Sequence, residues 1–237
     1  MANEDLFVAL TECHFMNTQT MSEIAYYPAM KRWNDSVDGV LRAWAGRDLA
    51  SEWPHPLAEA LIGYMDEARV DVCFCLREPM MDISGGSASM STNGFMLQQI
   101  EPYPGRMYLE ANCGPVIRRG LEHAIWELEY LVKERGAKLC KMYQPEDAGP
   151  INDRRLWPFY ARAEELGVPL TVHTGNSYVV PQPGSHCDVR QLDDVMLAFP
   201  DLKVIAYHAG WPDTEALIGL CGKHVNLYMS LSGIIGW

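Results

Sequence analysis

The chain has 237 residues, 48% of them apolar, which suits one α/β domain of barrel size, or two small ones, with a large core. Its 19 Lys and Arg against 31 Asp and Glu leave a formal net charge of -12, which argues against a nucleic-acid or anionic-membrane surface and favours a small substrate or a metal cation. No apolar run approaches the roughly 20 residues that span a bilayer, the start lacks the basic-then-apolar order of a signal peptide, and the seven cysteines read as reduced thiols, several of them in strands, so the expected location is cytoplasmic.

Residues 6–10 form a short apolar run that ends near Glu12 and predicts a first strand. Residues 17–56 then lack a sustained period and carry Trp33, Trp44 and Trp53 among polar residues. An excursion of that length predicts a lid or interface. Leu57, Leu61, Ile62 and Met65 follow helical spacing, and residues 70–76 make a second strand. After a Met, Ser and Gly-rich loop at 79–92, Asn93 is placed to cap a helix running to Ile100, followed by a strand at 107–111.

A helix is predicted over 120–135 from Leu121, Ile125, Leu128 and Leu131, ending at Gly136; a strand at 138–143 follows. Asp153 opens the next helix and Gly167 ends it, before a strand that delivers His173. Residues 189–199 read as helix, 204–207 as strand, 214–220 as helix and 225–231 as strand. Strand starts recur about every 30 to 35 residues, the length of a βαβ step, so the sheet is expected to be parallel with right-handed crossovers. The fold class is therefore α/β, a TIM-type (β/α)8 barrel in a single domain with about seven strands present, incomplete at the C-terminus.

Four residues of metal-ligand type fall at predicted strand ends: Glu12, His14, His173 and His208. Parallel strands bring such ends to one carboxyl edge, where α/β folds build sites. Alternation along a strand would turn Glu12 and His14 the same way. A carboxylate with imidazoles suits a divalent ion, Zn²⁺ first, with Mn²⁺ or Fe²⁺ as alternatives. His186, in the loop after the His173 strand, and Asn176 and Trp211, beside the two strand-end histidines, are the candidate substrate-binding residues. His55, His123 and His224 read as surface residues. Asp188, Asp193 and Asp194 read as helix-start carboxylates, and Cys13 as core.

With Glu-Cys-His-Phe at 12–15, Thr-Val-His-Thr-Gly at 171–175 and Ala-Tyr-His-Ala-Gly-Trp-Pro at 206–212, the chain resembles the amidohydrolase-related (type 2) family. Thr-Asn-Gly at 92–94, Tyr-Pro-Gly-Arg at 103–106 and Phe-Pro-Asp-Leu-Lys at 199–203 add to the likeness. The branch in question includes aminocarboxymuconate-semialdehyde and resorcylate decarboxylases. The resemblance implies a metal-dependent TIM barrel. Glu12 and His14 match the first two positions of the family's Asp-x-His-x-His, and Met16 stands at the third. His173 matches the fifth-strand ligand. His208 matches the sixth-strand His, a ligand or a catalytic residue. Lys141 lies where binuclear relatives carry a carboxylated lysine, but its strand context gives that reading little support. The Asp that the family carries after its eighth strand lies beyond the point where this chain stops.

Three readings remain open at this level. The first is a metal-dependent lyase decarboxylating an aromatic or unsaturated carboxylic acid. The second is a metal-dependent hydrolase of an amide, ester or lactone. The third is an accessory barrel subunit that pairs with a related barrel. The expected partners are a small carboxylate substrate and further copies or homologues in an oligomer, with no nucleic acid and no membrane.

Overall fold

A computed structural model of the chain describes residues 6–14, 58–77, 91–147, 149–176 and 183–233. The Trp-rich excursion expected at 17–56, Met16, His55 and most of the loop expected at 79–92 lie outside the described residues.

Seven strands form one sheet: β1 (Ala9–His14), β2 (Val72–Leu76), β3 (Met107–Asn112), β4 (Leu139–Met142), β5 (Leu170–Val172), β6 (Val204–Ala206) and β7 (Leu227–Met229). Each pairs with the next in chain order, and every pairing is parallel. The helices between the strands are α1 (Ala58–Ala68), α2 (Asn93–Ile100), α3 (Val116–Arg119), α4 (Leu121–Lys133), α5 (Gln144–Asp147), α6 (Trp157–Leu166), α7 (Leu192–Ala198) and α8 (Thr214–Lys223). This is a barrel-type βα succession whose sheet curls. The curl carries the end of β7 back to β1, where the hydroxyl oxygens of Thr11 and Ser230 are 3.1 Å apart.

Alternation along the strands sorts the side chains into two sets. Met107, Leu109, Ala111, Cys140, Met142, Leu170, Val172, Val204 and Ala206 join the apolar core between sheet and helices. Their alternates Glu110, Lys141, Thr171 and Tyr207 are equally buried but face the inside of the curl. On the helix side, α4 buries Ala124, Leu128 and Leu131, as its 3.6-residue period requires, and its Glu129 pairs with Arg162 of α6 at 2.6 Å.

Local corrections follow from hydrogen bonding. Thr92, not Asn93, caps α2, its hydroxyl accepting the Phe95 N–H at 3.0 Å, while Asn93 turns inward and donates to the Asn112 carbonyl. Asp153 caps a 3-10 turn, Arg154–Leu156, that precedes α6. His224, expected at the surface, is buried and faces Asp193 at 2.6 Å, so Asp193 serves an ion-pair cluster with Lys223 as well as a helix start. All seven cysteines are free thiols, and Cys13 packs against the core.

Candidate metal centre

At the carboxyl edge of the sheet three side chains converge: Glu12 from β1, His173 just past β5 and His208 just past β6. One donor atom from each lies within 4.8 Å of the other two. The His208 Nε2 is 3.3 Å from the Glu12 Oε1 and 2.9 Å from the His173 Nδ1. Two ligand atoms bound to one ion at about 2.1 Å stand roughly 3.0–3.4 Å apart at octahedral or tetrahedral angles, so these separations are those of neighbouring ligands.

The backbone explains how the three are presented. The β1–β2 register shifts between Leu10 and Cys13, and within that bulge Glu12 adopts a left-handed φ of 63°. His208 and Ala209 are left-handed too, at 60° and 49°. Non-glycine residues are strained at such angles; with Arg69, far from the cluster in sequence, four described residues hold them, and two of the four are candidate ligands. His14 lies two residues on from Glu12, where β1 is back in register with Leu76 of β2. Among the described residues His14 does not join the cluster, although the charges of Glu12, Lys141 and His208 act on its ring.

Hydrogen bonding at the far side of each ring decides what the inner side offers. The His208 Nδ1 is 2.9 Å from the Ser232 carbonyl oxygen, and the His173 Nε2 is 3.2 Å from the Asn176 carbonyl oxygen. A carbonyl only accepts, so both outward nitrogens must carry the proton. Neutral rings then turn two lone pairs toward each other across 2.9 Å, with the Glu12 carboxylate beside them. Such electron pairs repel unless positive charge lies among them, and three sources can supply it: the Lys141 ammonium on Glu12, a proton on the His208 Nε2, or a metal cation held by all three. Donation of the second ring nitrogen to a backbone carbonyl is also how metal-binding histidines are normally oriented.

Electrostatics agrees. Burial, followed by the charges of His208 and Lys141, presses the His173 imidazole well below its usual range, which keeps its lone pair available. Burial works to raise Glu12, but the charge of Lys141 and the contact with His208 outweigh it and hold the carboxylate well below its ordinary range. His14 is lowered to about 4 by burial, against the pull of Glu12.

A family model for amidohydrolases matches residues 102–236, a span that includes His173 and His208. The chain belongs to the amidohydrolase family. No curated protein matches its sequence. Among solved structures, an uncharacterised TIM-barrel protein from Bordetella bronchiseptica aligns with a TM-score of 0.73 at 19% identity, over 98% of this chain and 77% of that one. The 5-carboxyvanillate decarboxylase of Sphingomonas paucimobilis aligns with a TM-score of 0.60 at 14% identity, over 97% and 82%. A 5-carboxyvanillate decarboxylase from Novosphingobium aromaticivorans, solved with manganese and 4-hydroxy-3-methoxy-5-nitrobenzoic acid, gives 0.57 at 14%, over 93% and 69%. At these identities the likeness establishes the barrel fold. As an amidohydrolase the chain belongs to a metal-dependent class of enzymes, and the Glu12, His173 and His208 donors fit that class.

The other expected site residues sit around this amidohydrolase edge. Asn176 is exposed, and besides accepting from His173 it donates its backbone N–H to the Trp211 carbonyl at 2.8 Å. Trp211 is exposed at the rim. His186 is half-buried in the 3-10 turn Gly184–Cys187, which packs against α5, and its Nδ1 has no hydrogen-bond partner among the described residues. Asp188 caps the turn after it, accepting the Arg190 N–H.

Of one further buried group, only Lys141 was singled out in the sequence. Inside the curl, below the three candidate ligands, Lys141 forms an ion pair with the Glu12 Oε1 and lies 4.1 Å from the centre of the Tyr207 ring. The Tyr207 hydroxyl meets both Glu110 oxygens at 2.9 Å, and Thr171 donates to Glu110 as well. Burial pushes the Glu110 carboxyl up to about 7, with Lys141 pulling the other way. The signal available was a charged residue in the middle of each apolar strand, in Met107-Tyr-Leu-Glu and Leu139-Cys-Lys-Met.

Proposed function

We propose that this amidohydrolase is a metal-dependent lyase that removes CO2 from an aromatic or unsaturated carboxylic acid, with Glu12, His173 and His208 holding one divalent ion, Zn²⁺, Mn²⁺ or Fe²⁺. The observation that carries the metal reading is the convergence of three lone-pair donors whose outward N–H groups are already committed to carbonyls. The decarboxylases among the structural neighbours, one of them holding manganese, favour the lyase.

The ion would supply a Lewis acid to bind the substrate carboxylate and an adjacent oxygen. The chain's own residues do the rest of the positioning. With its Nδ1 given to Ser232 and its Nε2 turned to Glu12 and His173, His208 has no nitrogen left to move a substrate proton, so we assign it as a ligand. The exposed Trp211 indole is a flat apolar wall at the rim, suited to an aromatic ring. The buried His186 Nδ1, in the neighbouring turn, is the polar group we assign to substrate recognition.

The second reading, hydrolysis of an ester or lactone, draws on a probable 2-pyrone-4,6-dicarboxylic acid hydrolase from Acinetobacter baumannii, which aligns with a TM-score of 0.56 at 17% identity over 97% of this chain and 72% of that one. Incubating the metal-loaded protein with hydroxybenzoic acids and with pyrone lactones in labelled water separates the two. The lyase releases CO2 and leaves solvent deuterium on the product carbon. Oxygen-18 in the product without CO2 would instead establish the hydrolase.

A further inference from the structure

Lys141 stands in an unusual place for a lysine. It is 1% exposed on a strand in the middle of the sheet, and its ammonium pairs with the very Glu12 oxygen that lies 3.3 Å from the His208 Nε2. Burying a charge without a partner is costly, so the buried Lys141 is neutralised by the partly buried Glu12. A divalent ion held by Glu12, His173 and His208 would meet that ammonium as a like charge competing for the same oxygen.

We propose that Lys141 is a built-in counter-cation of the candidate metal centre: its ammonium occupies Glu12 while no ion is bound and gives up that carboxylate when one binds. The inference rests on the metal reading above and deepens it into a statement about regulation of loading. The ammonium also has somewhere to go. Its flexible stem already lays the nitrogen over the Tyr207 ring, and the hydroxyl of that ring rests on Glu110, a second carboxylate whose charge Lys141 already feels. Lys141 thus stands between two carboxyl groups, Glu12 above and Glu110 below. It holds Glu12 in place before metal arrives and sets a threshold that the metal must overcome.

The sign of one measurement tests this. Lys141→Met removes the charge and keeps the bulk; Lys141→Gln removes the charge and keeps a hydrogen bond for Glu12, in case the methionine variant does not fold. Wild type and both variants, stripped of metal, are titrated with Zn²⁺ against a competing chelator, and their melting temperatures are read with and without Zn²⁺. Exchange predicts that the variants bind Zn²⁺ tighter by about 10-fold or more, while their metal-free forms melt below wild type. A lysine that merely supports the site predicts weaker binding, and a lysine that is itself a ligand predicts loss of bound metal; either result, or unchanged affinity, overturns the exchange. Zn²⁺ uptake by the variants but not by wild type supports it in its strongest form. Failure of all three to take up Zn²⁺ removes the metal reading and the exchange with it.

Discussion

Burial of Glu110 between Thr171 and Tyr207 makes its proton a reporter of the barrel interior. Its folded-state value, about 7, lies above the usual value of about 4.5, so the folded protein binds the proton more tightly than the unfolded chain. Stability from Glu110 is therefore present at low pH and lost as pH rises through 7. His14 and His173 run the other way, because their lowered values cost stability on acidification. They are common to wild type and a Glu110→Gln variant, and cancel in the difference. Urea unfolding of the metal-free proteins should show wild type losing roughly 2–3 kcal/mol relative to the variant between pH 5 and pH 8. Parallel pH profiles would mean that Glu110 does not titrate there. Glu110 showed in the sequence only as a charge within an apolar strand, a pattern that announces neither its burial nor its partners. His224 escaped for the same reason, its burial being decided by contact with Asp193, 31 residues away.

The turns after β5 and β6 act as one piece, and Gly175 is where they lock. At its φ of 78° a side chain is disfavoured, and a Cβ there would stand 2.1 Å from the Trp211 carbonyl oxygen. The same approach places the Asn176 N–H on Trp211 and the Asn176 carbonyl on His173. Gly175→Ala must push the two histidine turns apart. It should cost about 3 kcal/mol or more in urea unfolding and weaken Zn²⁺ binding at least about 10-fold; a mild loss with unaltered affinity would show that the turns move independently. Both strand ends were legible, because an apolar run followed by His and then Gly marks a buried strand leaving the sheet. The β1 end was legible only in part. Glu12 joins His173 and His208 in the candidate cluster, whereas His14, beyond the bulge between Leu10 and Cys13, is not in that triple. A bulge is set by the neighbouring strand, which the local pattern of β1 does not contain.

Across the chain, the βα rhythm carried the architecture: seven parallel strands in chain order were readable from the spacing of apolar runs, and the sheet follows that order. What the rhythm did not carry is the curl. Only the curl brings residue 12 beside residues 173 and 208, across the same gap that Thr11 and Ser230 close between the two edge strands. The candidate centre is thus a property of the folded sheet, assembled from segments more than 150 residues apart. No described helix is long and apolar enough to cross a membrane. Calorimetric titration of metal-free protein with Zn²⁺, for wild type, His173→Ala and His208→Ala, addresses the centre itself. The expected result is about one equivalent bound by wild type and a loss of about 100-fold or more in affinity in each variant, because each removes one of three ligands. Equal binding by all three proteins would contradict a site built from Glu12, His173 and His208.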